Sequence, residues 1–271
     1  MPGPWIGRVW VGTLQIEFSM PVDILVIIPT YGHFDYAREV VRSLLRSTNN
    51  SGISVQYVVI DDASREWSEV DWRQWPNDNF LKLRFCEHGG LTRSWNAGLR
   101  MAVDVSAKYA VCTNSDILFS EGWFTALIAT LESGVALVGP VTNAPGDATW
   151  QNVSAFCDPS SSGVVPDDSD EHVDAIARIL RGLQIAPLKR PINGFFMMAK
   201  TGTWWRGAFD SESVFDPTIP LGGNELELQR RWSVLGLQTA VVPQSYIFHY
   251  RSVSRPDGLI GSLGLGAFRR I

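Results

Sequence analysis

The chain has 271 residues, of which 45% are apolar and 19% are charged, so it is long and apolar enough to bury a full core. This composition excludes a wholly disordered chain, and 24 glycines with 15 prolines and no Gly-X-Y period exclude a collagen-like one. The formal net charge of −5 argues against nucleic acid as the main partner. The cysteines Cys86, Cys112 and Cys157 form neither a disulfide framework nor a zinc-binding CxxC pattern, which favours a reducing compartment.

The two ends of the chain carry little patterning. Residues 1–22 lack the basic start and continuous apolar stretch of a secretory signal, so we expect a dispensable leader, with Met20 as a candidate functional start. Residues 256–271 are Gly-rich and are predicted to form a flexible tail. The longest uncharged stretch, 232–248, is interrupted by polar residues and Pro243, so no transmembrane segment is predicted. Residues 23–255 are predicted to form one domain.

Within that domain, short β-type runs alternate with helical periods, which is typical of the α/β class. The branched apolar run at 24–28 ends at Pro29, as expected of a strand buried on both faces. Apolar residues then recur three and four apart from Ala37 to Leu45, which predicts an amphipathic helix. Further strands are predicted at 55–60, 81–86, 109–113, 135–138, 194–199, 239–242 and 246–249, further helices at 92–105, 121–131, 172–183 and 224–235, and a long loop at 140–170.

Polar residues follow three of the predicted strands directly. They lie in Pro29-Thr30-Tyr31 after the first strand, Asp61-Asp62-Ala63-Ser64 after the second, and Asn114-Ser115-Asp116 after the strand that ends at residue 113. Each cluster alone is equally well an ordinary turn or helix cap. Because ligands of open α/β sheets bind at the carboxyl ends of the strands, the three clusters together predict a ligand site at one edge.

The phosphate-binding glycine motifs are missing from this edge. Neither G-x-G-x-x-G nor G-x-x-x-x-G-K-[ST] follows the first strand. A divalent cation held by carboxylate and imidazole is the obvious substitute, and Asp116 is the best candidate ligand.

Seven segments agree in order and spacing with the pattern of one family. They are VIIPTY (26–31), VIDDAS (59–64), LTRSWNAGL (91–99), NSD (114–116), NGFF (193–196), GNELE (223–227) and IFH (247–249) followed by Ser254. On these segments, from about residue 24 to residue 254, the sequence resembles the family 2 glycosyltransferases of the GT-A fold. The resemblance implies a single Rossmann-like α/β domain, with a mostly parallel sheet flanked by helices, that uses a nucleotide-sugar donor.

The resemblance also implies roles at the donor site. Pro29, Tyr31 and Asp62 would hold the nucleotide base and ribose, Asn114 the ribose, and Asp116 a Mn²⁺ or Mg²⁺ ion that also binds the donor diphosphate. Two positions depart from the family pattern, since Asn114 stands where Asp is frequent and His88 where Asn is common.

Two further side chains are candidates at the donor site. The resemblance makes His249 a metal ligand, although a lone histidine that closes an apolar run is also often a hydrogen-bonded edge residue. Arg93 either reaches a donor phosphate or solvates an exposed helix face.

Glycosyl transfer requires a general base, because the acceptor hydroxyl must lose its proton as it attacks the sugar. The resemblance places this base at Asn224-Glu225, so Glu225 is the predicted catalytic residue. A single base with direct displacement inverts the anomeric configuration. The alternative is that Glu225 and Glu227 are merely acids that favour the positive end of a helix, which is the preferred interpretation of Glu227.

The predicted function is transfer of a hexosyl or deoxyhexosyl group, with inversion, from a UDP- or dTDP-sugar to a hydroxyl of a glycan or glycoconjugate. The enzyme is expected to be cytoplasmic and to meet a membrane at most through its acceptor. Trp150, Trp204 and Trp205 are candidates for stacking on the acceptor. The alternatives are a silent carbohydrate- or nucleotide-binding module, suggested by Asn114 and Asn224, and a sugar-phosphate nucleotidyltransferase, which should carry a Gly-rich basic loop after the first strand.

Overall fold

The computed structural model of the chain describes residues 22–49, 51–65, 81–157 and 167–251. The predicted leader up to residue 21 and the predicted tail at 256–271 lie outside the described residues. In chain order the elements are β1 (Ile24–Thr30), α1 (Phe34–Thr48), β2 (Val55–Asp61), β3 (Leu81–Arg84), α2 (Leu91–Asp104), β4 (Tyr109–Thr113), β5 (Ile117–Phe119), α3 (Phe124–Glu132), β6 (Leu137–Val141), two 3₁₀ turns (Thr149–Gln151 and Val153–Ala155), α4 (Asp170–Arg181), β7 (Phe196–Lys200), α5 (Thr201–Arg206), α6 (Asn224–Val234) and β8 (Thr239–His249).

The eight strands of the described residues form one sheet in the order β3-β2-β1-β4-β7-β6-β8-β5. Strands β1 to β4 pair in parallel, and β6 pairs in parallel with β8. Strand β7 runs antiparallel between β4 and β6, and β5 runs antiparallel to β8 at the sheet's end. The prediction of a mostly parallel sheet flanked by helices is confirmed.

Both faces of the sheet are covered, as the apolar run of β1 predicted. Leu25 and Ile27 face a core that includes side chains of α2, α4, α5 and α6, whereas Ile24, Val26 and Ile28 face a core that includes α1 and α3. Burial on both faces is typical of parallel strands and explains why β1 does not alternate between apolar and polar residues.

Helix α2 packs unusually close to β1. A Cβ atom on Gly98 would lie 2.3 Å from a side-chain carbon of Ile27, so only glycine allows the helix this approach. The close packing fixes the beginning of α2 relative to the carboxyl end of β1.

The structure differs from the predicted elements in three places. Strand β5, with three residues, and helix α5, with six, are too short to show a period in the sequence. The two short strands predicted at 239–242 and 246–249 are one strand, β8, whose register against β6 shifts between Val242 and Tyr246. Pro243 and the polar residues after it lie in this irregularity, which is why the sequence pattern predicts two strands here. No helix of the described residues is long and apolar enough to cross a membrane.

Candidate active site

The strand directions bring the predicted polar clusters to one edge of the sheet. The parallel strands β1, β2 and β4 all end there, directly before Tyr31, Asp62 and Asn114. Strand β8 is parallel to β6 and ends at His249, while antiparallel β7 begins at Phe196, which pairs with Thr113 of β4. The loops that precede β7 and follow β8 therefore join the three predicted clusters at the same edge.

Asp116 and His249 face each other in the floor of this edge. Both residues are buried, and Nε2 of His249 lies 3.4 Å from Oδ1 of Asp116. The other ring nitrogen, Nδ1, lies 3.0 Å from the carbonyl oxygen of Ala144, which can only accept a hydrogen bond. In the neutral imidazole the proton is therefore on Nδ1, and the lone pair of Nε2 is directed towards the Asp116 carboxylate.

This pair fits a divalent cation. Nε2 of His249 is fully buried and has no hydrogen-bond partner among the described residues. Metal-binding histidines are typically held in this way, with the second ring nitrogen donating to a backbone carbonyl. A cation would also relieve the repulsion between the Nε2 lone pair and the Asp116 carboxylate. No three His, Cys, Asp or Glu side chains in the described part of the chain gather as a metal group, so such a cation needs further oxygen ligands from a bound molecule or water.

His249 is fixed from two more sides. Its ring stacks on the ring of Phe195, with the centroids 5.1 Å apart and the planes inclined by 17°. The side chain of Asn143 holds the backbone of His249 twice, because its Oδ1 accepts from the His249 N–H at 2.8 Å and its Nδ2 donates to the carbonyl at 3.1 Å. Together these contacts hold the imidazole ring in one orientation.

The residues before β7 connect this pair to Asn114 and Glu225. The carbonyl of Phe195 accepts the N–H of Asn114 at 2.9 Å. The preceding residue, Gly194, lies against the carboxyl group of Glu225, so closely that a Cβ on Gly194 would be 3.3 Å from the Glu225 Cδ. The short segment Gly194-Phe195 thus contacts Asn114, His249 and Glu225.

Glu225 opens α6, and its carboxyl group lies in a partly buried position. Burial raises the pKa of this carboxyl above its usual value. Asn224, which is almost fully buried, donates from Nδ2 to Oγ1 of Thr92 at 2.9 Å and so ties the beginning of α6 to α2. Glu227 forms an ion pair with Arg231 at 2.9 Å, in agreement with its predicted structural role.

Asp62 lies at the same edge but is bound to the protein itself. Its carboxylate accepts the backbone N–H groups of Gly89 and Gly90, the latter at 2.7 Å, and forms an ion pair with Arg93. Because Gly89 and Gly90 directly precede α2, the carboxylate lies at the positive end of that helix. Arg93 is thus held by Asp62 and by the carbonyl of Glu87 and does not reach over an exposed helix face.

An aromatic surface lies beside this ion pair. The ring of Tyr31 is 42% exposed and packs on the imidazole of His88, with the centroids 4.2 Å apart. Nδ1 of His88 lies 2.8 Å from Oδ2 of Asp62, which fixes the ring beneath Tyr31. Pro29, also predicted to contact the donor, is a buried residue within β1, two positions before Tyr31.

The three tryptophans predicted to contact the acceptor lie in different places. Trp204 has no exposed surface and donates to the carbonyl of Ala110 in the core, so that prediction is wrong. Its neighbour Trp205 lines a cavity near the end of α2, away from the carboxyl edge. Trp150 donates from Nε1 to the carbonyl of Pro191, close to Gly194, and stays a candidate.

A tyrosine pair beside Asp116 was not anticipated from the sequence. The N–H of Tyr250 donates to the carbonyl of Asp116 at 2.9 Å, and its hydroxyl donates to Asp168 at 3.1 Å. Tyr36 contacts Tyr250 edge to face, and its pKa is raised by burial and by the negative charges of Asp116 and Asp168. Tyr250 directly follows β8, so the rule that sites lie at strand ends could have singled it out, whereas Tyr36 lies in the first turn of α1 and carries no such signal.

The sequence comparison decides the family. The sequence model of the family described as Glycosyl transferase family 2 matches residues 25–193, which is more than half of the chain. The chain belongs to glycosyl transferase family 2. The matched range contains Tyr31, Asp62 and Asp116, whereas Glu225 and His249 lie beyond it.

Solved structures share the fold of this family 2 chain at low identity. GalNAc-T7, crystallised with UDP, GalNAc and Mn²⁺, is similar at a TM-score of 0.59 and 14% identity over 85% of this chain and 44% of its own. The mannosyltransferase PcManGT from Pyrobaculum calidifontis, in complex with GDP-Man and Mn²⁺, is similar at 0.58 and 15% identity, covering 88% of this chain and 59% of its own. TarS residues 1–349 from S. aureus are similar at a TM-score of 0.55 and 15% sequence identity. The match covers 84% of this chain and 60% of the TarS chain.

The chain thus spans 44% to 60% of the length of these three structures. At such identities the likeness shows the GT-A fold alone. A sequence search of curated proteins gives no significant match.

Proposed function

We propose that this family 2 protein is an inverting glycosyltransferase that moves a sugar from a UDP- or dTDP-linked donor to a hydroxyl of a glycan or glycoconjugate. The proposal depends on one observation: the segment Gly194-Phe195 contacts both the Asp116–His249 pair and the Glu225 carboxyl group. Phe195 stacks on His249, which faces Asp116, and Gly194 contacts Glu225. A cation site and a carboxylate base are the two groups that this reaction needs.

Asp116 and His249 would hold a Mn²⁺ or Mg²⁺ ion, with the donor diphosphate and water as the remaining ligands. A bound cation stabilises the negative charge that develops on the departing diphosphate. The relatives crystallised with Mn²⁺ and with UDP or GDP-Man support this part of the proposal. Asp116 and His249 are both buried, so a cation that they hold would be shielded from bulk water and would interact with the diphosphate more strongly than a cation in solvent.

Glu225 would take the proton from the acceptor hydroxyl. Its burial raises the pKa of the carboxyl group and thereby makes the carboxylate a better proton acceptor than an exposed glutamate. Because Gly194 has no side chain, the Glu225 side chain can pack against it at the beginning of α6.

Tyr31 and Asn114 would bind the nucleoside part of the donor. The exposed face of the Tyr31 ring, supported from behind by His88, suits stacking on a flat base. Asp62 would act on the base and ribose mainly by holding His88 and the Gly89-Gly90 backbone in position. We propose the same positioning role for Arg93, through its ion pair with Asp62.

The test is release of nucleoside diphosphate from UDP-sugars and dTDP-sugars in the presence of Mn²⁺ and a panel of glycan acceptors. Wild type should release the diphosphate, and Glu225→Gln should not, although it should still bind UDP. If the protein is a silent binding module, neither wild type nor Glu225→Gln will release the diphosphate. If it is a nucleotidyltransferase, it will instead release pyrophosphate from a nucleoside triphosphate. Either of those results would overturn the proposal.

A further inference from the structure

The segment that contains α6 carries several exposed apolar side chains. Of the seven large apolar residues that are exposed in the described part of the chain, four lie between positions 221 and 235. They are Leu221, Leu226, Val234 and Leu235, with exposed fractions of 70%, 56%, 85% and 53%. Leu226, Arg230 and Val234 recur at four-residue spacing and therefore share one face of α6. Leu221 precedes the helix, and Leu235 follows it. Exposed apolar residues scattered singly are ordinary, but two on one helix face, with more at its ends, mark a contact surface.

Cations lie beside these side chains. A groove of about 640 Å³ runs between α6 and the segment before β7, and Lys189, Arg190 and Arg230 line it together with Leu226. No carboxylate lines the groove, and none of the three cations forms an ion pair with another described residue. The nearby Glu227 is already paired with Arg231.

The charge of this surface is opposite to that of the chain. Three unpaired cations concentrate here in a protein whose formal net charge is −5. Such a local excess attracts an anionic partner in spite of the overall negative charge. The cations alone would suit any polyanion, but Leu221, Leu226, Val234 and Leu235 gain nothing from a polar chain and gain free energy in an apolar phase.

We propose that this α6 surface, formed by Leu226 and Val234 with Lys189, Arg190 and Arg230 and flanked by Leu221 before the helix and Leu235 after it, docks on an anionic lipid bilayer. The leucines and the valine enter the boundary between headgroups and acyl chains, and the cations contact headgroup phosphates, which is the arrangement of interfacial amphipathic helices. Because Glu225 opens the same helix, docking brings the candidate active site close to the bilayer. The proposal does not depend on glycosyl transfer.

The experiment is sedimentation of the full chain with two kinds of vesicle, without donor or acceptor. Vesicles of phosphatidylcholine mixed with phosphatidylglycerol should bind the protein, and vesicles of phosphatidylcholine alone should bind it much more weakly. Binding should weaken as salt rises. Each cation near an anionic surface contributes about fivefold, so the triple variant Lys189→Gln, Arg190→Gln, Arg230→Gln should bind on the order of 100-fold more weakly.

A second variant removes the apolar part. Leu226→Gln combined with Val234→Gln and Leu235→Gln should also lose binding, whereas Val103→Gln and Arg178→Gln, exposed positions on α2 and α4, should keep it. All six residues changed in the two variants are exposed, so the melting temperatures should stay near that of wild type.

Three results would overturn the proposal. The first is that mixed vesicles fail to bind wild type, and the second is that vesicles without phosphatidylglycerol bind it equally well. The third is that inorganic phosphate or heparin, added as a soluble anion, binds the surface while vesicles do not. None of these results bears on nucleoside diphosphate release, so failure here is distinguishable from failure of the proposed function.

Discussion

The imidazole of His249 lies nearly parallel to the ring of Phe195, at 5.1 Å between centroids, and its Nε2 is 3.4 Å from Oδ1 of Asp116. Residues from the end of β8, the beginning of β7 and the turn after β4 therefore form one unit. The distance of 3.4 Å is long for a direct hydrogen bond. At this distance the lone pair of His249 Nε2 and the Asp116 carboxylate are close enough for one bound ion to contact both.

Asn143→Ala should weaken Mn²⁺ binding about tenfold without removing a ligand. Asn143 holds the backbone of His249 through two hydrogen bonds, and side chains that orient a metal ligand typically change affinity by tens of times. Calorimetry with Mn²⁺ in the presence of UDP measures this, with Asn49→Ala, at the exposed end of α1, as the control. Equal Mn²⁺ affinity in Asn143→Ala and wild type would remove Asn143 from the site.

Glu225→Gln should lower kcat by about 100-fold or more, because it removes the proton acceptor and keeps the shape. In wild type, kcat/KM should fall on the acid side as the pH drops through the pKa of Glu225, which burial raises above the usual value of 4.5. A rate independent of pH on the acid side, or an active Gln variant, would assign the base to another residue.

The same variant tests the burial of Glu225 through stability. The folded pKa is raised above the unfolded one, so the folded state favours the neutral carboxyl, and its ionisation costs stability. This cost is absent below the unfolded pKa and complete above the folded pKa. Glu225→Gln should therefore be more stable than wild type at neutral pH, with the difference disappearing in acid, as measured by urea unfolding. A difference that grows as the pH falls would contradict the sign.

Gly194→Ala should lower kcat roughly ten- to hundredfold while Mn²⁺ affinity stays near that of wild type. The new methyl group would lie 3.3 Å from the Glu225 Cδ and displace the carboxyl group slightly, and small displacements of a catalytic group are costly. Gly202→Ala is the matched control, since a Cβ there meets no other atom within 4 Å. If Gly194→Ala keeps full activity, Glu225 does not act from the position described.

Asp62→Ala should destabilise the fold by about 1–3 kcal/mol as well as weaken UDP binding, because the backbone N–H groups of Gly89 and Gly90 and the Arg93 guanidinium lose their partner. Asp104→Ala, at the other end of α2, should leave both unchanged. Urea unfolding and UDP calorimetry on the same samples measure the two effects. A loss of UDP affinity with full stability would show that Asp62 contacts the nucleotide and does not hold the loop.

The sequence predicts the helices and strands well where a periodic pattern or a buried apolar run extends over many residues. Strands β1, β2 and β4 and helices α1, α2 and α6 were anticipated from branched apolar runs and from apolar residues three and four apart. Strand β5 and helix α5 were not, because three and six residues are too few for a period. Trp204 was misplaced because composition alone does not separate a core tryptophan from a stacking one.

The sequence predicts where the candidate site lies but not the contacts within it. That Asp62, Asn114 and Asp116 meet at one edge follows from the rule on parallel strand ends, which uses only the order of the elements. That Asp62 binds Gly89, Gly90 and Arg93, or that Asn143 holds His249, depends on loop conformations set by long-range packing. No spacing in the sequence carries that information.

The central claim is that Asp116 binds a cation that in turn binds the diphosphate of the donor. Calorimetric titration of UDP into wild type and Asp116→Asn, with and without Mn²⁺, tests it most directly, because Asn keeps the shape and removes the charge. We predict tight binding of UDP to wild type only with Mn²⁺, and little gain from Mn²⁺ in Asp116→Asn. Equal UDP affinity with and without Mn²⁺ in wild type, or an undiminished Mn²⁺ effect in Asp116→Asn, would contradict the account.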